Sequence, residues 1–312
     1  MPVMKRRKFK KVVLNHCYQR SSDHGVLFYD IRDHLVFFTV FSTIAVRYDV
    51  RVVKLVQMPD HIHHSTIASN MADLSGFIRD YTSIFAKEYN KSFHRKGPLF
   101  EERYGNALKL SDKAVRTNLL YLDNNPVERK LVTRPEDYQF GYLAYRASDH
   151  PFSEKIRLRY ASMPLRRALR QVKSLHNGGQ HLTYQVLTKM FDTLSDPMEK
   201  DQLTDYIINT YSVIDHSLSS RYFGGYENEL LAAASNTGSE YDISESFIGK
   251  DDRFYAQFSS MLKTHGMVQD IHEILSMEEQ QKFDCFMTLR RFTSAPNRQI
   301  AAYLHLPVET KY

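Results

Sequence analysis

The sequence predicts an α+β protein: a ferredoxin-like β-α-β-β-α-β sheet with one added helix over residues 1–148, followed by a mostly α-helical region over residues 149–312. Three observations carry that prediction. In the first half, β-branched apolar runs alternate with segments of helical period, in the order that sets a hairpin between two helices. The hairpin is marked by Pro59-Asp60, a short turn between two strand-like runs. Beyond about Pro151 the strand pattern stops and only helical patterns remain.

The elements follow in order. Val12-Val13-Leu14 leads into a first strand, Asn15-His16-Cys17-Tyr18-Gln19-Arg20, and residues 21–25 form a turn. Residues 30–47 make a helix with apolar Leu35, Phe38, Val40, Phe41, Ile44 and Ala45. Residues 50–57 and 61–68 are the hairpin strands. Residues 73–89 place Leu74, Phe77, Ile78, Tyr81, Ile84, Phe85 and Tyr89 near helical spacing. Lys96-Gly97-Pro98 is a loop, and residues 99–110 hold a last strand. Ser111 or Asp112 caps a helix that runs to about Asn124 and is ended by Pro126, so Asn125, just before the proline, is expected to leave helical geometry.

In the second half, residues 156–174 read as a basic amphipathic helix, with further helices over 182–194, 199–211, 254–262 and 268–292. Residues 220–249, rich in Gly, Ser, Asn and acidic side chains, surround a short helix at 230–234. The stretch 294–307 resembles the first helix and turn of a helix-turn-helix, truncated by the chain end near 290–312.

Hydrophobic and charged fractions of 42% and 25% are those of a soluble globular protein, and no apolar run approaches the ~20 residues of a membrane span. Two cysteines, Cys17 and Cys285, give neither a metal spacing nor a disulfide framework, which fits a reducing, cytoplasmic setting. The net charge of +6 is uneven: residues 1–145 carry 23 Lys and Arg against 15 Asp and Glu, while the remainder is slightly acidic. A basic first half suits a polyanion such as nucleic acid, although a solvated basic surface would look the same. The arm Lys5-Arg6-Arg7-Lys8, with Arg20, Arg103 and Lys109, supplies candidate phosphate contacts.

Two patterns carry chemistry. In a strand, His61 and His63 point to one face while Ile62 enters the core, so two imidazoles stand together and are able to hold a divalent metal; His64 points the other way. On the helix after Ser111, Val115, Leu119 and Leu122 form a core stripe, and Asn118, Tyr121 and Asn125 form a second line. Asp123, a carboxylate of the kind magnesium favours, falls off that line, and Tyr104 is an alternative phenol.

The ordered set Asn15-His16-Cys17-Tyr18-Gln19-Arg20, Met58-Pro59-Asp60-His61-Ile62-His63, Leu99-Phe100-Glu101-Glu102-Arg103-Tyr104 and Tyr121-Leu122-Asp123-Asn124-Asn125-Pro126-Val127 resembles the single-tyrosine HUH transposases, in particular the REP-associated tyrosine transposases, over roughly residues 10–145. The resemblance implies that residues 1–148 are an HUH transposase or endonuclease domain in which His61 and His63 bind Mg²⁺ or Mn²⁺, Asn125 is the third ligand and Tyr121 is the nucleophile. It implies cleavage and rejoining of single-stranded or hairpin DNA through a 5′-phosphotyrosine, by a homodimer. The alternatives are a non-catalytic DNA-binding regulator that keeps the fold, or another HUH endonuclease.

Overall fold

The computed structural model describes residues 9–235 and 251–307. Strands β1 (Leu14–Arg20), β2 (Val50–Met58), β3 (His61–Ala68) and β4 (Gly105–Lys109) form one antiparallel sheet in the order β2-β3-β1-β4. This is the split plan that the sequence predicts, with β1 inserted between β3 and β4. The β2–β3 hairpin is tight, Met58 opposite His61.

Helices α1 (Ile31–Ala45) and α2 (Met71–Ser92) cover one sheet face, where Ile62 and Ala68 of β3 join Phe37, Phe41, Phe77 and Phe85 in an apolar cluster. Helix α3 (Asp112–Glu128) covers the other, where Leu14 and Val53 meet Val115 and Leu119. The period-two alternation of β3 therefore sends Ile62, His64, Thr66 and Ala68 to one side, and His61, His63, Ser65 and Ile67 to the other. His64 is a core histidine: Nδ1 meets Thr66 Oγ1 at 2.7 Å, Nε2 meets Tyr81 Oη at 3.2 Å, and burial pushes its pKa down to about 3.

Helix α3 departs from expectation. It runs through Pro126 to Glu128, and Asn125 stays helical. A proline in the last turn removes only its own N–H bond. The turn closes around it, with Arg129 N–H donating to Asn125 O and Leu131 N–H to Pro126 O. The last strand is shorter than expected; ahead of it Phe100 only bridges to Ser21. Gly105 lies beneath the Tyr18 ring, where a Cβ would come within 2.0 Å of ring carbons.

The remaining helices are α4 (Met163–Asn177), α5 (Tyr184–Asp192), α6 (Pro197–Tyr211), α7 (Ser217–Phe223), α8 (Tyr226–Ser235), α9 (Arg253–Thr264), α10 (Glu279–Phe292) and α11 (Asn297–Tyr303). α4 begins later than the hydrophobic pattern suggests, because Ser162 caps it through Leu165 N–H and Pro164 sits in its first turn, where a missing donor costs nothing. The stretch 268–292 is broken into a 3₁₀ turn (Ile271–Ser276) and α10. α7 rises from a Ser-rich segment that carries little helical signal.

Leu165, Leu169, Leu187, Leu203 and Ile207 of α4–α6 share the apolar cluster of α1 and α2, so the core runs unbroken past residue 148. α7 and α8 pack beside α3, while α9–α11 form a second cluster that also takes in Val26. In α11, Ile300, Ala301 and Tyr303 are buried in that cluster, which makes it a bundle helix; residues 308–312 of the helix-turn-helix resemblance lie outside the described residues. Among the described residues no helix is long and apolar enough to cross a membrane.

A buried ion cluster ties α1 to the C-terminal region. His272 Nε2 meets Asp33 at 2.9 Å and Nδ1 meets Asp270 at 2.7 Å, with Arg32 bridging Asp30 and Asp270. The ligand atoms of Asp30, Asp33 and His272 lie close enough to hold a metal, but both imidazole nitrogens already face carboxylates, so the imidazolium itself is the cation. Burial disfavours that charge, yet Asp33, Asp270 and Asp30 outweigh it and lift the pKa from 6.5 to about 10. A raised folded-state pKa gives stability that is full below about pH 6.5 and lost as pH climbs through about 10. Thermal unfolding should therefore show the melting temperature falling between pH 7 and 10, with His272→Gln flattening that decline; parallel declines in both proteins would refute the assignment.

Candidate active site

β3 and α3 run antiparallel across the sheet face, and over this short stretch two strand residues, about 6.8 Å, stay roughly in step with one helical turn, about 5.4 Å. Asn118 stands over Ser65, whose hydroxyl donates to its Oδ1 at 2.7 Å. Tyr121 stands over His63, ring centroids 5.6 Å apart. One further turn beyond Asn125, Arg129 reaches Asp60 at 3.3 Å. Along α3 Asn125 falls between Tyr121 and Arg129, as His61 falls between His63 and Asp60 along the chain. Tyr121 is 3% exposed, Asn125 and His61 1%, and His63 fully buried. The His61 and His63 rings are 4.7 Å apart and nearly perpendicular.

Each histidine is held through Nδ1. His61 Nδ1 meets Asp60 Oδ1 at 2.6 Å, and His63 Nδ1 meets Nε2 of His16 on β1 at 3.0 Å. Burial works against ionising Asp60, but Arg129 and His61 outweigh it and hold the carboxyl below the usual carboxylate range. An ionised carboxylate only accepts, so the proton of that bond sits on His61 Nδ1. Burial lowers the pKa of His61, with partial compensation from Asp60, and keeps the imidazole neutral. Both oxygens of Asp252, at the start of α9, take the Arg129 guanidinium at 2.8 and 2.9 Å.

The Asn125 amide is the outstanding feature of this face: Oδ1 and Nδ2 are both buried with no hydrogen-bond partner among the described residues. An unsatisfied buried amide costs roughly 1–3 kcal/mol, which marks a place for a ligand. Two buried imidazoles engaged through Nδ1, beside an amide oxygen, make a donor set suited to a divalent cation.

The other expected residues are spread more widely. Arg20, opposite His61 in the β1–β3 register, and Lys109, opposite Leu14, share the face of α3. Arg103 is exposed in the loop before β4. Tyr104 goes elsewhere, its hydroxyl 3.1 Å from Ser75 of α2. Lys5, Arg6, Arg7 and Lys8 lie outside the described residues. Asp123 points away from the histidines and pairs with buried Lys54, which also meets Glu229 at 2.8 Å; Glu229 in turn pairs with Arg146.

Residues 12–125, just over a third of the chain, match the family model described as Transposase IS200 like. Over these residues the chain is similar to the IS200-like transposases, a family of DNA-processing enzymes. A solved structure described as "Structure of the REP associates tyrosine transposase bound to a REP hairpin" is similar to 46% of this chain and 84% of its own, at 15% identity and a TM-score of 0.41. No curated protein matches the chain significantly.

Around this face, sequence reasoning missed the supports. His16 alternates with Tyr18 in the first strand and was visible as a third histidine on the same sheet face. Asp60 looked like a turn residue. Arg129 and Asp252 are 123 positions apart and share no pattern.

The Lys54–Asp123–Glu229–Arg146 cluster has a direct test. Glu229→Ala strips a carboxylate from two nearly buried cations, and breaking one side of a buried ion cluster typically costs about 3–5 kcal/mol. Urea unfolding should show a loss in that range; a loss under about 1 kcal/mol would show that the cluster contributes little.

Proposed function

We propose that the protein is a metal-dependent transposase that nicks and rejoins single-stranded DNA at hairpin or repeat sequences, with Tyr121 forming a covalent 5′-phosphotyrosine. The observation that carries this reading is the face shared by Tyr121, the paired imidazoles of His61 and His63, and the unpartnered amide of Asn125, in a domain of the IS200-like family.

His61, His63 and Asn125 would hold Mg²⁺ or Mn²⁺, with Nδ1 of each ring already engaged so that ligation runs through Nε2. When bound, the metal supplies Lewis-acid polarisation of a phosphoryl oxygen. The chain's own residues do the rest. Tyr121 Oη loses its proton and attacks the scissile phosphorus; the bond from phosphorus to the 3′ oxygen breaks, and that oxygen takes up a proton. The covalent linkage stores the bond for rejoining without a nucleoside triphosphate. Arg20 and Lys109, on the same face, would take flanking phosphates. Because the central side chains are buried, DNA engages them only after the fold opens around them. We read the protein as a cytoplasmic homodimer, a setting that suits two cysteines not joined in a disulfide.

The test is a hairpin oligonucleotide with a single-stranded flank, incubated with Mg²⁺ or Mn²⁺ and resolved on a denaturing gel. The wild type should give a covalent protein–DNA adduct that a chelator abolishes. Tyr121→Phe should lose the adduct to background while still shifting the hairpin in EDTA, and His61→Ala should behave as the chelated wild type. An adduct that survives Tyr121→Phe rules out this nucleophile. Hairpin binding without any adduct under all metal conditions would identify a DNA-binding regulator instead.

A further inference from the structure

The chain beyond residue 250 reaches the turn that carries the metal-binding pair from two directions. On one side, the α9–α11 cluster takes in Val26, and Tyr29 Oη donates to Tyr303 O at 2.6 Å. The loop thus held closes on the hairpin turn: Leu27 and Phe28 N–H both donate to Pro59 O, at 2.7 and 3.0 Å, and Ser21 N–H donates to Asp60 O at 3.2 Å. Gly25 allows this approach, since a Cβ there would fall 2.4 Å from the His305 ring.

On the other side lies an unbroken run of buried polar contacts. Asp252 binds Arg129 through both carboxylate oxygens, and its own N–H donates to Arg129 O at 2.9 Å. Arg129 reaches Asp60, and Asp60 Oδ1 accepts a hydrogen bond from His61 Nδ1 at 2.6 Å. The side chain of Gln299 on α11 donates to Asp251 O and steadies the segment from behind. The Asp252 side chain is fully buried and that of Arg129 is 2% exposed, so water does not substitute for either partner.

We propose that Asp252 is a positioning residue for the metal centre: through Arg129 and Asp60 it fixes the orientation and tautomer of His61, which makes the C-terminal helices part of the catalytic scaffold. The proposal rests on the reading of His61 as a metal ligand. Its physical basis is the competition for Asp60. A guanidinium held by two oxygens of Asp252 offers Asp60 only one edge. Released from Asp252, Arg129 turns fully onto Asp60 and draws the carboxylate from His61 Nδ1. Outer partners of this kind typically govern metal affinity by about 10- to 100-fold.

The experiment compares full-length wild type, Asp252→Asn and His61→Ala. Mn²⁺ affinity is measured by titration calorimetry, and the His61 tautomer by ¹⁵N-histidine NMR on metal-free protein. For Asp252→Asn we expect Mn²⁺ affinity about 10- to 100-fold weaker, a His61 signal shifted from Nδ1–H toward a mixture of tautomers, and hairpin binding in EDTA within about twofold of wild type. A general folding defect would weaken hairpin binding as well. If Asp252→Asn does not fold, Asp252→Glu, which keeps the charge but displaces it, is measured in its place, with the same direction expected and a smaller size. An unchanged His61 tautomer together with unchanged Mn²⁺ affinity overturns the proposal. Mn²⁺ binding that is insensitive to His61→Ala overturns the metal assignment instead, and the tautomer readout, which needs no metal, still decides the role of Asp252.

Discussion

Burial of β3 on both faces constrains everything around it. A strand covered on one side by α1 and α2 and on the other by α3 has no water to satisfy its side chains. On the first side Ile62 and Ala68 are apolar, and His64 is held by Thr66 and Tyr81. On the second side it offers His61, His63 and Ser65, and buried polar groups of that kind are costly unless bonded. The face of α3 that meets them must therefore be polar, and it is: Asn118, Tyr121, Asn125 and Arg129 follow one another at helical spacing. The same demand brings His16 and Asp60 onto the two imidazoles. Both polar atoms of the Asn125 amide remain without a hydrogen-bond partner among the described residues.

Buried charge settles how the C-terminal helices attach. Three clusters cross from the first half of the chain to the second: Asp33 with His272 and Asp270, Lys54 and Asp123 with Glu229, and Asp60 and Arg129 with Asp252. A buried ion pair adds little net stability over an apolar contact of the same shape, but a half-broken one is expensive. Three of them at separate points leave a single docking register in which every charge is matched. The apolar surface of α4–α6 against α1 supplies area; the ion clusters supply geometry.

The fold was legible where local pattern and tertiary role coincide. The hairpin of β2 and β3, the capped start of α3 at Ser111 and the pairing of His61 with His63 all follow from period, turn chemistry and side-chain type within a few neighbours. The errors came where packing overrides local preference. Pro126 does not stop α3, since Leu122 and Asn125 on either side of its missing bond are buried and held. The pattern at 156–162 suggested helix, but Ser162 and Pro164 begin α4 later.

By itself, the sequence determined the alternation of elements and the pairing of two histidines on one strand face, because each depends only on the 2.0 and 3.6 periods of the backbone; that Asn125 stays helical, one turn beyond Tyr121, was decided by the packing around Pro126. Only the tertiary structure decided which of those faces meet, which ring nitrogen each histidine presents, and that a carboxylate more than a hundred residues downstream stands behind Arg129. Those depend on contacts between distant segments under burial, where the cost of an unmatched charge selects the partner, and no local period records that cost.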